Sequence, residues 1–382
     1  MAEITGNVIL AVNSGSSSLK FGLYRHPHNV CDPTLLLTGG ATGIGHSNGR
    51  LQISDAQGAT VVDEAYSLSS QGHALKEILG HVQPVAGGLP GAVGHRLVHG
   101  GPHLREHQRI TDGLLKKLEA ATQFAPIHIP AALALLRETE KLLPGIPQYA
   151  CFDTAFHRTM PEVSRHFALP QRLYDLGIER YGFHGLSYES IVIRLQPDIP
   201  ERVVCAHLGA GASLVALRKG VSVDTTMGMT PVGGIPMATR SGDFDPGVVL
   251  FLMRTEQLSA DQLESLLNKD SGLAALSGGE SDMRLLEQCA SRGDQKAQLA
   301  IDVFVQAVHK QIGAYAGELG GLDLLVFTGG IGEHSAPIRN RICQGLEFLG
   351  LTSGDPTRCP KVRVLNSEEE LQIARITCLL HQ

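Results

Sequence analysis

The residue types most suited to chemistry come early in the chain, where an apolar run at 8–12 meets a turn of very small residues. Asn13, Ser16, Ser18 and Lys20 lie in and just after this turn. A turn of glycine and serine exposes backbone N–H groups and hydroxyls without side-chain bulk, which suits phosphate oxygens. Lysine provides a point charge for phosphate, and asparagine or serine binds phosphate or a metal-bound water. We predict a strand, a phosphate-binding turn and a second strand; the alternative is an ordinary hairpin with a surface lysine.

A similar stretch recurs in the second half of the chain, at 203–214, and reads Val-Val-Cys-Ala-His-Leu-Gly-Ala-Gly-Ala-Ser-Leu. Val203 and Val204 match Val8 and Ile9, and the final Ser-Leu of the stretch matches Ser18 and Leu19. Two strand–turn–strand units in one chain indicate a duplicated fold with a phosphate-binding turn in each half.

Two further glycine-rich segments lie at 327–333 and 277–284. The first follows an apolar strand and precedes a helical segment that begins near Pro337. We predict a glycine turn there, at which a ligand approaches the backbone closely. In the second segment an acid, Asp282, and a base, Arg284, bracket a loop. Together these segments suggest a nucleotide bound between domains.

Arg96 and Arg240 are the candidate cations for an anionic substrate, because each lies beside a glycine-rich turn where a guanidinium can reach a carboxylate or phosphoryl group. The alternative is a structural salt bridge, for which Asp243 or Asp245 would serve Arg240. Asp153 follows an apolar segment at the predicted domain junction, and His184 is flanked by glycines. A lone aspartate or histidine in such a setting is usually structural.

Several familiar sites are excluded. The chain has no P-loop, no GxGxxG fingerprint and no His-Arg-Asp kinase loop. Four histidines recur at four-residue spacing from His95 to His107, but Gly100-Gly101-Pro102 interrupts any helix that would align them on one face. We therefore do not predict a zinc site.

Short strands alternate with helices, which favours an α/β fold. Lys219-Gly220 predicts a hairpin turn, and apolar spacing predicts a helix over 296–317. We place residues 1–150 in one domain, joined by a returning C-terminal helix at 370–382, and residues 151–369 in the other. Ser367 is the predicted cap of the final helix.

Composition narrows the class of protein. The net charge of −6 and the absence of a basic run argue against a nucleic-acid partner. No apolar stretch approaches the length of a membrane span. Seven cysteines without Cys-x-x-Cys spacing predict a reduced, cytoplasmic chain.

The motifs together resemble the acetokinase family, which includes acetate, propionate and butyrate kinases. The resemblance runs from Val8 to the helix after Glu369. Its motifs are Asn13–Lys20, His95–Gly101, Phe152–His157, Tyr181–Gly185, Thr239–Asp243, Gly330–Glu333 and Glu368–Leu371.

The resemblance implies two ribonuclease-H-like domains of the actin/Hsp70/sugar-kinase superfamily around a nucleotide cleft. It implies reversible phosphoryl transfer from ATP to a short-chain carboxylate, with acetate the leading substrate and Mg²⁺ or Mn²⁺ as the metal, in a homodimer. Asn13 and Glu369 would then hold the metal, and Arg96 the carboxylate. The positions implied to bind the nucleotide are Lys20, Ser16, Ser18, His207, Leu208, Gly209, Ala210, Gly211, Asp282, Met283, Arg284, Gly330, Ile331, Gly332, Glu333 and His334.

By the same matching, His184 and Arg240 would steady the transferring phosphoryl group, and Asp153 occupies the family's acid/base position. Residues lining the acyl pocket would be Val98, Ile127, Phe183 and Pro231. A carboxylate is already ionised at neutral pH, so we expect Asp153 to matter through metal or arginine positioning as much as through proton transfer.

This chain departs from the family pattern at several positions. Ala210 replaces an asparagine in the second glycine turn, and Ile129 replaces an asparagine near the acyl pocket. Leu186 and Tyr188 replace a threonine and a histidine beside His184. Two alternatives stay open: the same fold acting on propionate or another small acid, and a nucleotide-binding sensor without turnover.

Overall fold

The structure is a computed structural model that describes residues 4–15, 17–27, 32–351 and 361–382. Ser16, one of the predicted nucleotide-binding residues, lies outside the described residues.

Thirteen strands, fourteen α-helices and four short 3-10 helices are assigned within this part of the chain. The strands are β1 Ile4–Ser14, β2 Leu19–Arg25, β3 Thr34–Thr42, β4 Arg50–Asp55, β5 Thr60–Ala65, β6 Leu89–Leu97, β7 Gln108–Arg109, β8 Gln148–Phe152, β9 Arg202–Leu208, β10 Ala212–Arg218, β11 Val221–Thr225, β12 Leu324–Thr328 and β13 Val362–Val364. The helices are α1 Gln71–Ala86, α2 Asp112–Ala120, α3 Ile129–Leu142, α4 Glu162–Arg165, α5 Gln171–Asp175, α6 Gly185–Leu195, α7 Pro246–Thr255, α8 Ala260–Lys269, α9 Gly272–Ser277, α10 Met283–Ser291, α11 Gln295–Leu319, α12 Gly329–His334, α13 Ala336–Cys343 and α14 Glu369–His381.

The chain divides into two compact units. The first comprises Met1–Arg158, Gly185–Ser190 and Glu368–Gln382, and the second comprises Thr159–His184 and Ile191–Ser367. The predicted boundaries at 150 and 369 differ from these. Asp153 stays in the first unit because it directly follows β8, which pairs with β6, and its own N–H donates to the carbonyl of Leu97.

The first unit contains an eight-stranded sheet in the order β5-β4-β3-β2-β1-β6-β8-β7. Its central strand, β1, is buried on both faces. Val8, Leu10 and Val12 pack in the cluster that includes α1, whereas Ile9 and Ala11 pack in the cluster that includes α14. A strand covered on both faces has a continuous apolar sequence, which explains the run that opens the chain.

The second unit contains a five-stranded sheet in the order β11-β10-β9-β12-β13. Five strands of the first sheet, β3-β2-β1-β6-β8, are arranged in the same way as these five. The central strand, β1 or β9, pairs antiparallel with β2 or β10 on one side. On its other side it pairs parallel with β6 or β12. The predicted duplication of a ribonuclease-H-like fold is confirmed.

The local predictions succeed where one residue type dictates the backbone. Lys219 and Gly220 have φ values of 51° and 82°, and they join β10 to β11 as predicted. The helix predicted over 296–317 is α11. Two predictions are wrong: the cap of α14 is Glu368 rather than Ser367, and the glycine turn is the short helix α12.

Cys151, Cys205, Cys289 and Cys343 are free thiols. Cys378 is disulfide-bonded, so the expectation of a fully reduced chain is not met. Among the described helices, none combines the length and apolarity needed to span a bilayer.

Candidate functional site

The predicted turn between β1 and β2 places Asn13 and Lys20 directly opposite each other across the antiparallel pair. Cross-strand partners point to the same face of a sheet, so an amide and an ammonium lie side by side there. Asn13 is buried and Lys20 is exposed. The turn is closed by a bond from Gly15 N–H to the carbonyl of Ser18.

Arg96 and Asp153 form a close ion pair within the first unit. The Nη2 atom of Arg96 lies 2.6 Å from Oδ2 of Asp153, and Nε lies 3.0 Å from the same oxygen. Parallel pairing of β6 with β8 produces this contact, since Arg96 is aligned with Cys151 and Asp153 follows two residues later.

The backbone of Asp153 is held from both sides. Its N–H donates to the carbonyl of Leu97, and its own carbonyl accepts from Gly185 N–H at 2.9 Å. A Cβ on Gly185 would lie 2.2 Å from that carbonyl oxygen. Only glycine fits position 185, which explains why glycine follows His184.

Asn13 connects this ion pair to the start of α14. Its Oδ1 accepts from Nη1 of Arg96 at 3.2 Å, and its Nδ2 donates to Glu369 at 3.0 Å and to Glu370 at 2.9 Å. We call Asn13, Arg96, Asp153, Glu369 and Glu370 the acidic cluster. It lies entirely within the first unit.

Electrostatics within the acidic cluster follow from burial and proximity. Burial raises the pKa of Asp153 above its usual range, and the guanidinium of Arg96 opposes that rise. The carboxylate of Asp153 raises the pKa of Arg96 against the effect of burial. Because two guanidinium nitrogens donate to one carboxylate, we take the pair to be ionised at neutral pH.

A pocket of about 40 Å³ adjoins Arg96 in the first unit. Val98 and Ile127, predicted to line an acyl pocket, both line it, as does Ile129. The predicted pocket residues Phe183 and Pro231 belong to the second unit, where both are buried.

In the second unit, His184 is held by neighbours on two sides. Its Nδ1 lies 2.9 Å from the hydroxyl of Ser213, and its ring stacks on His207 with centroids 4.3 Å apart. His184 also has φ 58° and ψ 24°. A left-handed backbone costs a non-glycine residue roughly 1–2 kcal/mol, and such strain is typical of functional positions.

Arg240 lies near the same histidine. Its Nη1 donates to the carbonyl of Pro231 at 3.1 Å, and a Cβ added to Gly211 would be 3.6 Å from this nitrogen and 3.2 Å from Nε2 of His184. The candidate aspartates have other roles: Asp243 accepts from Gly234 N–H and Asp245 caps α7.

The turn between β9 and β10 carries Leu208, Gly209, Ala210 and Gly211, with Ala210 exposed. Gly329, at the start of α12, has φ 76°, and a Cβ there would be 2.8 Å from the carbonyl oxygen of Leu208.

Helix α12 contains the predicted residues Gly330, Ile331, Gly332, Glu333 and His334. The carboxylate of Glu333 accepts from the N–H of Gly329 at 2.9 Å, so this side chain caps its own helix.

Asp282 caps α10, and its carboxylate pairs with Arg284 at 2.6 Å. This pairing lowers the pKa of Asp282 to about 2. Met283, between them, is buried.

Glu370 was missed by the sequence analysis. It stands beside the predicted Glu369 in the first turn of α14, and the acidic run 368–370 was the available signal.

The spaced histidines make separate contacts: His95 bonds Gln148, and His99 accepts from Gly101 N–H. Within the described ranges, no three His, Cys, Asp or Glu side chains form a metal-binding group.

Comparison with known proteins identifies the family. The model of the acetokinase family matches residues 8–377. An acetate kinase from Staphylococcus carnosus (strain TM300) is 40% identical, over 97% of this chain and 98% of its own length.

Solved structures are similar as well. A Porphyromonas gingivalis acetate kinase superposes with a TM-score of 0.84 at 36% identity, covering 98% of this chain and 100% of its own. A propionate kinase from Francisella tularensis subsp. tularensis SCHU S4 has a TM-score of 0.86 at 34% identity, with the same coverage.

The duplicated sheets and the family match define a phosphotransferase built on a duplicated ribonuclease-H-like fold. The chain belongs to the acetokinase family. It is an ATP-binding kinase that phosphorylates a carboxylate, and the family generally uses a divalent metal ion.

Proposed function

We propose that this enzyme transfers the γ-phosphoryl group of ATP to a short-chain carboxylate, acetate above all, and releases an acyl phosphate and ADP. The observation that carries the proposal is the pocket of about 40 Å³ beside the guanidinium of Arg96, lined by Val98 and Ile127. A cation in the wall of a small pocket that also carries apolar side chains suits a carboxylate with one or two carbons behind it. One methylene is worth only about 1–3 kcal/mol of discrimination, so propionate is the second candidate substrate.

In this proposal Asp153 acts by holding Arg96. An acetate carboxylate is ionised at neutral pH and needs no strong base. The barrier comes from bringing an anion to ATP and from charge on the transferring group, which fixed cations reduce. An Arg96 side chain held by Asp153 and Asn13 is already oriented before the substrate binds.

We assign stabilisation of the phosphoryl group to His184 and Arg240. Both belong to the second unit, and both have side-chain nitrogens within 4 Å of a Cβ added at Gly211. The nucleotide is assigned to 207–211, 282–284 and 330–334, and its phosphates to Lys20, Ser18 and Ser16.

Asn13 and Glu369 are the proposed holders of Mg²⁺ or Mn²⁺, and the neighbouring Glu370 joins them. Magnesium is usually held by one or two carboxylates together with substrate phosphates rather than by a full protein cage. The carboxylates of Glu369 and Glu370 fit that donor set, and Asn13 holds both of them through its amide N–H group. When bound, the ion would neutralise phosphate charge.

We also propose a cytoplasmic homodimer. Helix α7 exposes Val248, Leu250, Phe251 and Met253, an apolar set suited to a partner surface. Sedimentation of the wild type and of Phe251→Glu tests this: the substitution should yield monomers.

The substrate is tested by trapping acyl phosphate as hydroxamate with Mg-ATP and acetate, propionate, butyrate or glycolate. Acetate should give the highest kcat/KM. Arg240→Ala should lower kcat, and a raised KM with unchanged kcat would contradict its transition-state role. Failure of every acid would contradict the proposed activity and favour a nucleotide sensor.

A further inference from the structure

A side-chain hydrogen bond supports the strand that carries Asp153. Strand β7 is only two residues long, so its backbone pairing with β8 stops at Gln108, opposite Ala150. Nδ1 of His107 then accepts from the N–H of Phe152 at 3.0 Å. The imidazole therefore holds the end of β8, immediately before Asp153.

That hydrogen bond determines which ring nitrogen of His107 carries the proton. A nitrogen that accepts from a backbone N–H carries no proton, so the proton of the neutral ring is on Nε2. Nε2 lies 3.1 Å from Oε1 of Glu189, a carboxylate that accepts it. Both side chains are largely buried, at 15% and 17% exposed, which limits competition from water.

The second oxygen of Glu189 extends the connection. It accepts from Nε2 of Gln372 at 3.0 Å, and Gln372 lies in the first turn of α14, three residues after Glu369. The N–H of Gln372 also donates to the carbonyl of Glu368. Three side chains thus join the end of β8 to the start of α14, within the first unit.

We propose that His107, Glu189 and Gln372 form a positioning chain that fixes Asp153 relative to Glu369, with His107 as its central positioning residue. This rests on the proposed function, in which Asp153 orients Arg96 and Glu369 holds the metal ion. Asn13 links the same two groups on the other side, through Arg96 and Glu369. Asp153 and Glu369 are therefore tied together twice, and loss of the His107 link leaves them joined only through Arg96 and Asn13.

Three variants separate the two halves of the positioning chain, which are the contact of His107 with Phe152 and the contacts of Glu189. His107→Phe keeps a planar ring but loses both bonds. His107→Asn keeps an acceptor near the Phe152 N–H and loses only the bond to Glu189. Glu189→Gln replaces one acceptor oxygen with an amide N–H, so it can no longer accept from both His107 and Gln372. His103→Phe is the matched control, since His103 is an exposed histidine on the same connection.

The experiment measures kcat and KM for acetate, the melting temperature, and the dissociation constant for Mn²⁺ by electron paramagnetic resonance. His107→Phe should lower kcat and weaken Mn²⁺ binding, each by roughly tenfold, as loss of a supporting hydrogen bond does at metal sites. KM should change less than twofold. His107→Asn should recover most of kcat, Glu189→Gln should weaken Mn²⁺ binding, and the control should match wild type.

A lower melting temperature with wild-type kcat and Mn²⁺ affinity would overturn the proposal, as would equal loss in His107→Phe and His107→Asn. If His107→Phe does not fold, Glu189→Gln decides by the same readouts. If wild type forms no acyl phosphate, the proposed function fails, and the Mn²⁺ series still tests the positioning chain.

Discussion

The guanidinium of Arg96 donates to the carboxylate of Asp153 through both Nε and Nη2, and the shortest of these distances is 2.6 Å. Asp153 is 1% exposed, and the side chain of Arg96 is 17% exposed. The proposed binder of the substrate carboxylate is therefore already bound to a protein carboxylate. This contact supports the proposal that Asp153 orients Arg96.

The first prediction concerns the stability of this ion pair. Arg96→Met leaves the Asp153 carboxylate buried without its cation, which should lower the free energy of unfolding by about 3 kcal/mol. Adding Asp153→Asn should restore part of that loss, because the uncompensated charge is gone. Urea unfolding measures both effects.

The exposed pair Arg50–Asp63 is a suitable control, with side chains 54% and 35% exposed. Arg50→Met should cost less than about 1 kcal/mol, since solvent screens the charges. Equal losses from the two arginine substitutions would show that burial of Asp153 does not matter.

The second prediction concerns Gly211. An added Cβ would be 3.2 Å from Nε2 of His184, which forces a shift of a few tenths of an ångström. Gly211→Ala should lower kcat roughly tenfold with little change in stability, since small displacements of reacting groups are costly.

Gly313→Ala, in the interior of α11, is the matched control, because no described atom lies within 4 Å of the added Cβ. It should leave kcat unchanged and raise the free energy of unfolding by up to about 1 kcal/mol. Wild-type kcat in Gly211→Ala would remove the proposed role from the His184–Arg240 group.

The third prediction concerns Ala210, where the family pattern has an amide. Its exposed methyl cannot donate a hydrogen bond, whereas its carbonyl accepts from Ala238 N–H at 3.1 Å. Ala210→Asn should lower the KM for ATP about fivefold, equivalent to one hydrogen bond of about 1 kcal/mol. Ala210→Val adds bulk without a donor and should not lower it. The same KM in both variants would exclude nucleotide contact at this position.

The fourth prediction concerns the pH dependence of stability. Burial lowers the pKa of His95 to about 4, from an ordinary 6.5. Its Nε2 bonds Gln148, and its buried Nδ1 has no hydrogen-bond partner among the described residues. As the pH falls below 6.5, His95 becomes protonated in the unfolded chain, whereas in the folded chain it stays neutral until about pH 4. The free energy of unfolding therefore decreases as the pH falls through this window.

Between pH 7 and pH 5 this loss should be about 2 kcal/mol from His95 alone. His95→Gln keeps an N–H donor for Gln148 but does not titrate. Its unfolding free energy should fall less than that of wild type by this amount over the same interval. Parallel pH profiles would show that His95 is not the titrating group.

The duplicated core can be predicted from the sequence because each signal for it lies within a short segment. The apolar run at β1, its echo at β9 and the Lys219-Gly220 hairpin each constrain only neighbouring residues. The glycine segment in α12 was predicted wrongly, because glycine disfavours helices and here the carboxylate of Glu333 caps the helix from within.

The contacts of the site depend on pairing between segments that are far apart in the sequence. Arg96 was predicted as a substrate binder, and its partner Asp153 was named, but nothing local joins residues that far apart in sequence. The register of β6 with β8 makes that pair. The same holds for Asn13 and Glu370, which meet only because α14 returns to the first sheet.

The most direct test of the central claim is phosphorus-31 NMR of the reaction of Mg-ATP with acetate labelled with oxygen-18 in both carboxylate positions. A carboxylate oxygen attacks the γ-phosphorus, and the β–γ bridging oxygen leaves with ADP. The account predicts an acyl phosphate resonance shifted by one directly bonded oxygen-18, formed in equal amount with ADP. ADP accompanied by unlabelled inorganic phosphate, at a rate independent of acetate, would contradict it.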